Sequence, residues 1–258
     1  MRSSGIRKFA IVSLLITPIL IYHHFIGALL ATASGTGENL LLTMEAAKLH
    51  RISGVDKVVA LTFDDGPDPR YTPRVLNILA RENIKATFFL IGKQVDKYPY
   101  IVRQIIEQGN LVGNHTYSHP DLAVEDKNQI KDEIDKCQAA IFHVTGQQPI
   151  YFRPPRGLFN QQTKEIVSKN GLKMVLWDVC VEHKRSRTSS QETKRVLSLV
   201  RPGSIILAHD GRLNRKKTIE ALPMIIKGLK ERGYKFITLD NLPPATQGTY
   251  VGKRPRVI

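Results

Sequence analysis

The sequence predicts an α/β protein built on a mainly parallel sheet that closes, or nearly closes, into a barrel. Three observations carry this. Seven short apolar runs recur from residue 55 onward, helical patterns lie between most of them, and glycines stand where helix ends favour them. In such folds reactive groups collect at the carboxyl ends of the strands.

The strand candidates, in order, are VVALTF from Val58, KATFFLIG from Lys85, NLVGN from Asn110, PIYFRP from Pro149, KMVLWDV from Lys173, SIILAH from Ser204 and KFITL from Lys235. TPRVLNILAREN reads as a helix with Thr72 as N-cap and Pro73 at the first helical position. YIVRQIIEQG and IEALPMIIKGLKERG end on Gly109 and Gly233, where a left-handed cap is easiest for glycine. EIDKCQAAIFHV is a helical pattern holding Cys137, while Cys180 stands at a strand end. Two cysteines make no disulfide framework, and a bridge between them is open but not indicated.

A chain of 258 residues with 42% hydrophobic and 24% charged residues suits one large domain with a proper core. Residues 1–33 stand apart: MRSSGIRK is basic and FAIVSLLITPILIYHHFIGALLATA is almost unbroken apolar sequence, the pattern of an export signal. ATA at Ala31 to Ala33 has the form of a cleavage site, yet the stretch from Phe9 is also long enough to span a bilayer. The apolar residues just before ATA and the basic residues before Phe9 favour an uncleaved anchor, although His23 and His24 interrupt it. Either way the body faces outward, secreted or membrane-anchored. Residues 34–54 read as a linker, 55–242 as the main folded domain and 243–258 as a loose basic tail.

The first 33 residues hold three basic side chains and no acid, so the remainder keeps +12 of the chain's +15. That charge points to an anionic neighbour. Export, and the lack of a basic-and-aromatic nucleic-acid motif, make a cell wall or membrane surface the better partner than nucleic acid. A monomer is expected.

VVALTFDDGPDPRYTP places Asp64 and Asp65 where the first strand stops. Asp, Gly and Pro are ordinary turn residues, but a turn needs one aspartate, not two. GNHTYSHP follows the third strand and sets His115 and His119 four apart, a spacing that on a helical turn aims both imidazoles one way and suits a divalent metal such as Zn²⁺. A catalytic metal site keeps about three protein ligands, and Asp64 or Asp65 can supply the third. The other aspartate then serves as proton acceptor. Arg153 in FRPPRG, Trp177 and Asp178 in LWDV, and His209 and Asp210 in LAHD stand at later strand ends. Each has an ordinary reading as ion pair, core aromatic or loop residue. His50, His143 and His183 keep that reading; the rim groups together do not.

TFDDGP, HTYSH, FRPPRG and LAH, in that order across residues 55–242, resemble the NodB-like polysaccharide deacetylases, carbohydrate esterase family 4. The resemblance implies a distorted (β/α)7 barrel and hydrolysis of N-acetyl groups on a polysaccharide with one divalent metal ion, Zn²⁺ first, with Co²⁺, Ni²⁺ or Mn²⁺ as alternatives. It implies Asp65, His115 and His119 as the metal triad and Asp64 as the base. Arg153 is implied as the arginine that holds the base, Leu207 as a wall of the acetyl pocket, His209 as the general acid, and a backbone N–H near Arg156 as an oxyanion donor. Two departures stand out: Arg156 replaces a usual Tyr, and DVCVEHK after Trp177 replaces a usual DxxDW block. Glu182 is the candidate to replace that block's carboxylate, whereas Lys184 cannot replace its tryptophan.

RPPRG resembles the subgroup acting on muramic acid, and the Arg156 guanidinium suits a lactyl or peptide carboxylate. Peptidoglycan, bound in part through Arg156, Trp177 and Leu207, is therefore the expected substrate. An O-acetyl esterase and an inactive carbohydrate-binding protein are the alternatives.

Overall fold

The computed structural model describes residues 57–242 and 250–251; the expected export segment, the linker at 34–54 and most of the tail lie outside the described residues. The elements are β1 (Val58–Asp64), α1 (Thr72–Arg81), β2 (Thr87–Leu90), α2 (Gly92–Lys97), α3 (Pro99–Glu107), β3 (Leu111–Asn114), α4 (Lys127–Thr145) and β4 (Tyr151–Phe152). There follow α5 (Gln161–Lys169), β5 (Lys173–Val175), β6 (Val179–Cys180), α6 (Ser189–Leu199), β7 (Ile205–His209), α7 (Lys216–Glu231), β8 (Lys235–Ile237) and β9 (Tyr250–Val251).

The described strands form one parallel sheet in the order β6-β7-β1-β2-β3-β4-β5-β9, with β8 also on β1. β2 pairs with the carboxyl half of β1 and β8 with its amino half, so both share one edge of β1. β5 and β6 lie at opposite ends of the strand order up to β9, yet only residues 176–178 separate them in sequence. The sheet must therefore curl until its ends approach, which makes a distorted (β/α) barrel.

Every residue of β1 is buried, as a strand covered on both faces requires. Its alternation assigns the faces. Val59, Leu61 and Phe63 pack under the helices with Phe88, Ile206 and Ala208, while Val58 and Ala60 pack with Phe89, Tyr151, Val175 and Ile205. By the two-residue period, Thr62 and Asp64 continue the second face, as do Leu207 and His209 on β7. That face is the barrel interior.

Three sequence expectations change. Thr72 is the first residue of α1, not its N-cap; its hydroxyl accepts the Asp68 N–H at 2.8 Å and donates to Asp210 Oδ2 at 2.6 Å. KMVLWDV is not one strand: β5 stops at Val175 and β6 starts at Val179. The tail is not wholly loose, because Tyr250 and Val251 pair with Met174 and Val175. Both cysteines are free. Among the described residues, no helix is long and apolar enough to cross a membrane.

Candidate active site and metal centre

Register brings the rim groups together. Asp64 at the end of β1 lies beside His209 at the end of β7, and Asn114 at the end of β3 lies beside Phe152 of β4. Asp65, His115 and Arg153 each follow directly on such a strand end.

Arg153 is fully buried. Its Nη1 donates to Asp64 Oδ1 at 2.7 Å and to Thr62 Oγ1 at 2.9 Å, and its Nε and Nη2 donate to the Val175 and Leu176 carbonyls at 3.1 Å each. The guanidinium also lies over the Phe89 ring at 4.1 Å and the Trp177 ring at 5.7 Å. Burial pulls its pKa down, and the charge survives because Asp64 opposes that pull. These two carbonyls lie at the last residue of β5 and the residue after it, where the strand stops.

Asp65 has φ 77°, a left-handed conformation costly for any residue but glycine. Close contact holds it there. A Cβ on Gly211 would come within 2.1 Å of the Asp65 carbonyl oxygen, so only glycine fits. Asp65 Oδ2 accepts from the buried Arg215 Nη2 at 3.0 Å, and Arg215 Nε donates to the Gly211 carbonyl at 2.8 Å. Asp65 Oδ1 points the other way, 3.2 Å from His119 Nε2 and 3.7 Å from His115 Nε2. Although buried, Oδ1 accepts no well-aligned hydrogen bond. Burial opposes its charge, yet His119 and His115 outweigh burial and hold the Asp65 carboxyl well below the usual carboxylate range.

His115 and His119 meet without a helix. Thr116 and His119 both adopt positive φ, 66° and 64°, in the loop after β3, and the rings stand 5.1 Å apart between centroids. Asn114 anchors this loop: its Oδ1 accepts the Thr116 N–H at 2.8 Å, and its Nδ2 donates to Ile134 O and Gln138 Oε1 at 2.9 Å each. His115 Nδ1 donates to the Arg153 carbonyl at 2.7 Å, which leaves the Nε2 lone pair facing Asp65. Arg212 Nη1 lies against His119 Nδ1. Ligation through His119 Nε2 requires that guanidinium to move off, and its side chain, 40% exposed, has room to do so.

Asp65, His115 and His119 thus offer one carboxylate oxygen and two ring nitrogens within 4.8 Å of one another. This donor set suits Zn²⁺ and related divalent ions, and the unpartnered Asp65 Oδ1 is the atom a cation would satisfy. The two aspartates differ in their partners: Asp64 is tied to Arg153 through Oδ1 and turns Oδ2 to within 3.7 Å of His115 Nε2, whereas Asp65 Oδ1 faces both imidazoles.

Across the rim, His209 Nδ1 donates to Glu182 Oε2 at 3.0 Å, and the His209 N–H donates to Glu182 Oε1 at 3.1 Å. Thr218 Oγ1 donates to the same Oε1 at 2.7 Å. Burial disfavours the imidazolium, but the Glu182 carboxylate outweighs it and raises the His209 pKa. In return, against its own burial, Glu182 is pulled down to about 2 by His209 and Thr218. Glu182 thus sets a carboxylate directly against the His209 ring.

The remaining candidates separate. Leu207 is buried on the inner face, one turn of the pleat below His209. Trp177 is half-buried against the interior cluster. Arg156 has φ 57° and an exposed side chain 3.4 Å from Asp121 Oδ2. Asp210 is fully buried, and its Oδ2 accepts from the Thr72 hydroxyl. Asp178 Oδ2 accepts the Ile205 N–H at 2.9 Å and braces the sheet. Sequence reasoning missed Thr62, Asn114, Arg215 and Thr218. Only Asn114, a polar residue ending an apolar strand, carried a local signal.

Comparison with known proteins falls on the same residues. Residues 52–175 match the polysaccharide deacetylase family. The peptidoglycan-N-acetylglucosamine deacetylase PgdA of Listeria monocytogenes is 40% identical over 187 residues, 72% of this chain and 39% of its own. A peptidoglycan-N-acetylglucosamine deacetylase of Bacillus cereus is 35% identical over 189 residues, 72% of this chain and 88% of its own. The peptidoglycan-N-acetylmuramic acid deacetylase PdaA of Bacillus subtilis is 33% identical over 191 residues, covering 72% of each. This chain therefore spans about two fifths of the length of the Listeria relative. Among solved structures, the peptidoglycan deacetylase PdaC of Bacillus subtilis superposes with a TM-score of 0.67 at 34% identity, covering 72% of this chain and 90% of that one. A family pseudoenzyme from Bacillus anthracis superposes with a TM-score of 0.68 at 30% identity, covering 77% and 70%. With motifs, strand order and relatives agreeing over one stretch of sequence, the chain belongs to the polysaccharide deacetylase family.

Proposed function

We propose that the chain removes N-acetyl groups by hydrolysis from amino sugars of a cell-wall polysaccharide, peptidoglycan first. The observation that carries this is the pairing of a locked Asp64–Arg153 unit beside the Asp65, His115 and His119 cluster with a Glu182-backed His209 at the next strand end. The names of the Listeria and Bacillus relatives support the polymer.

Asp65, His115 and His119 hold a divalent cation, Zn²⁺ first, with Co²⁺, Ni²⁺ or Mn²⁺ as substitutes. When bound, the cation supplies Lewis acidity, polarising the acetyl carbonyl and acidifying the attacking water. Asp64 accepts the proton from that water, with Arg153 fixing the carboxylate so that its second oxygen faces the cluster. A backbone N–H near Arg156 donates to the developing oxyanion. His209 protonates the departing amine, since an amine anion is a very poor leaving group. The products are acetate and a free amino sugar. Leu207 and Trp177 wall the acetyl end of the pocket.

An O-acetyl ester would leave as an alkoxide, which needs an acid less. The Glu182–His209 pair, built to keep a proton on the imidazole, favours the amide. Retention of Asp64, Asp65, His115, His119, Arg153 and His209 together speaks against an inactive protein. The reaction takes place outside the cytoplasm, from an anchored or secreted protein acting as a monomer.

Arg156 biases recognition toward muramic acid through the carboxylate that N-acetylglucosamine lacks. Mass analysis of muropeptides after digestion tests this. Muramic residues that lose acetyl in wild type and are spared by Arg156→Tyr support the bias; an unchanged ratio between the two sugars removes it. Loss of acetyl from neither sugar removes the proposed activity.

A further inference from the structure

We propose that Cys180, Glu182 and His209 form a second cation site, which takes a soft divalent ion and switches the enzyme off. This concerns a different ion from the one at Asp65, and its effect on activity rests on the reading of His209 as proton donor. A thiol sulfur, a carboxylate oxygen and a ring nitrogen from these residues lie within 4.8 Å of one another. Cys180 Sγ is 3.5 Å from Glu182 Oε2, which is 3.0 Å from His209 Nδ1.

Cys180 pairs in register with Leu207, two residues before His209, so the strand ladder fixes the cluster. The Glu182 and His209 side chains are 23% and 22% exposed, which leaves an approach for an ion. Sulfur, nitrogen and oxygen with a water as fourth ligand form a set that Zn²⁺ in excess, or Cd²⁺, takes readily. The cluster contains a thiol that the Asp65 site lacks, and softer ions favour that sulfur once they displace its proton.

Binding displaces two protons to solvent, one from the Cys180 thiol and one from His209 Nδ1, while Glu182 is already ionised. The consequence follows from the ring. With the cation on Nδ1, His209 keeps only its Nε2 proton, and losing that one would leave an imidazolate. It is then far too weak an acid to serve a departing amine. The Glu182 charge that sustained the imidazolium is consumed as well.

The full chain carrying one equivalent of Zn²⁺ is titrated with Cd²⁺ while sulfur-to-cadmium charge-transfer absorption and acetate release are followed together. The Asp65 site has no sulfur ligand, so the absorption band reports a thiol alone. The expected result is a band that saturates at one equivalent with a parallel fall in acetate release. Cys180→Ser should lack the band, keep its activity before Cd²⁺ is added, and need roughly tenfold more Cd²⁺ for the same loss. Cys180→Ala repeats the test if the serine variant folds poorly. No band in wild type, or a band retained in both variants, overturns the site. A band with undiminished acetate release overturns the switch. A chain that releases no acetate before Cd²⁺ fails on the proposed function instead, and the band still decides the site.

Discussion

Replacing Arg153 with Met should cost the metal-free protein about 3–5 kcal/mol, the range for removing one partner of a buried ion pair. The structure accounts for most of that sum. Asp64 would be left buried with its Oδ1 stripped of the 2.7 Å donor, and the Val175 and Leu176 carbonyls would each lose a bond worth about 1 kcal/mol. Methionine recovers part of this by packing on Phe89, the face the guanidinium now covers at 4.1 Å. Adding Asp64→Asn removes the stranded charge, so the double variant should be more stable than Arg153→Met alone by about 2 kcal/mol. Denaturant unfolding of the four proteins in chelator reads the cycle. Arg153→Met within about 1 kcal/mol of wild type, or a double variant no firmer than the single one, would refute the view of Arg153 as the brace of Asp64.

Glu182 raises the His209 pKa despite burial, so activity that needs the imidazolium falls as pH rises through that value. In Glu182→Gln the alkaline limb of the kcat/KM profile should move to lower pH by about one unit or more; an unmoved limb removes His209 from the acid role. Gly211→Ala drives a Cβ into the Asp65 carbonyl, which should weaken metal binding by about tenfold or more in a chelator competition. Burial, with Asp65 and Asp64 nearby, raises the Asp210 carboxyl to about 7, so the folded metal-free protein binds a proton that the unfolded chain gives up near 3.8. Stability should therefore fall as pH rises across that window, and Asp210→Asn should flatten the fall in thermal unfolding measured from pH 4 to 8.

The apolar runs Val58 to Phe63 and Ser204 to His209 were legible as strands, and so was the rim at their carboxyl ends; the face that carries Asp64, Leu207 and His209 emerged only from the packing on either side of the sheet. The helix stops at Gly109 and Gly233 were legible because both glycines take positive φ, 74° and 82°. Less was legible where the chain departs from repeating geometry. His115 and His119 converge through two left-handed residues, which a spacing of four cannot distinguish from a helical turn. Residues 173–179 read as a single strand because nothing local reveals that a guanidinium 22 and 23 residues upstream of Val175 and Leu176 takes both of their carbonyls. Arg215 and Thr218 sit at the start of α7, where polar residues are ordinary helix surface. Only tertiary contact with Asp65 and Glu182 gives them a role. Glu182 was visible because a missing carboxylate at that place demanded a substitute.

The central claim is a division of labour between adjacent aspartates, Asp65 for the cation and Asp64 for the proton. Bound metal and acetate release should be measured on wild type, Asp64→Asn and Asp65→Asn, each stripped with chelator and resupplied with Zn²⁺. The account predicts that Asp64→Asn takes up one equivalent as wild type does yet releases no acetate, whereas Asp65→Asn loses the metal itself. An Asp64→Asn protein that still releases acetate, or an Asp65→Asn protein that binds Zn²⁺ as tightly as wild type, would contradict it.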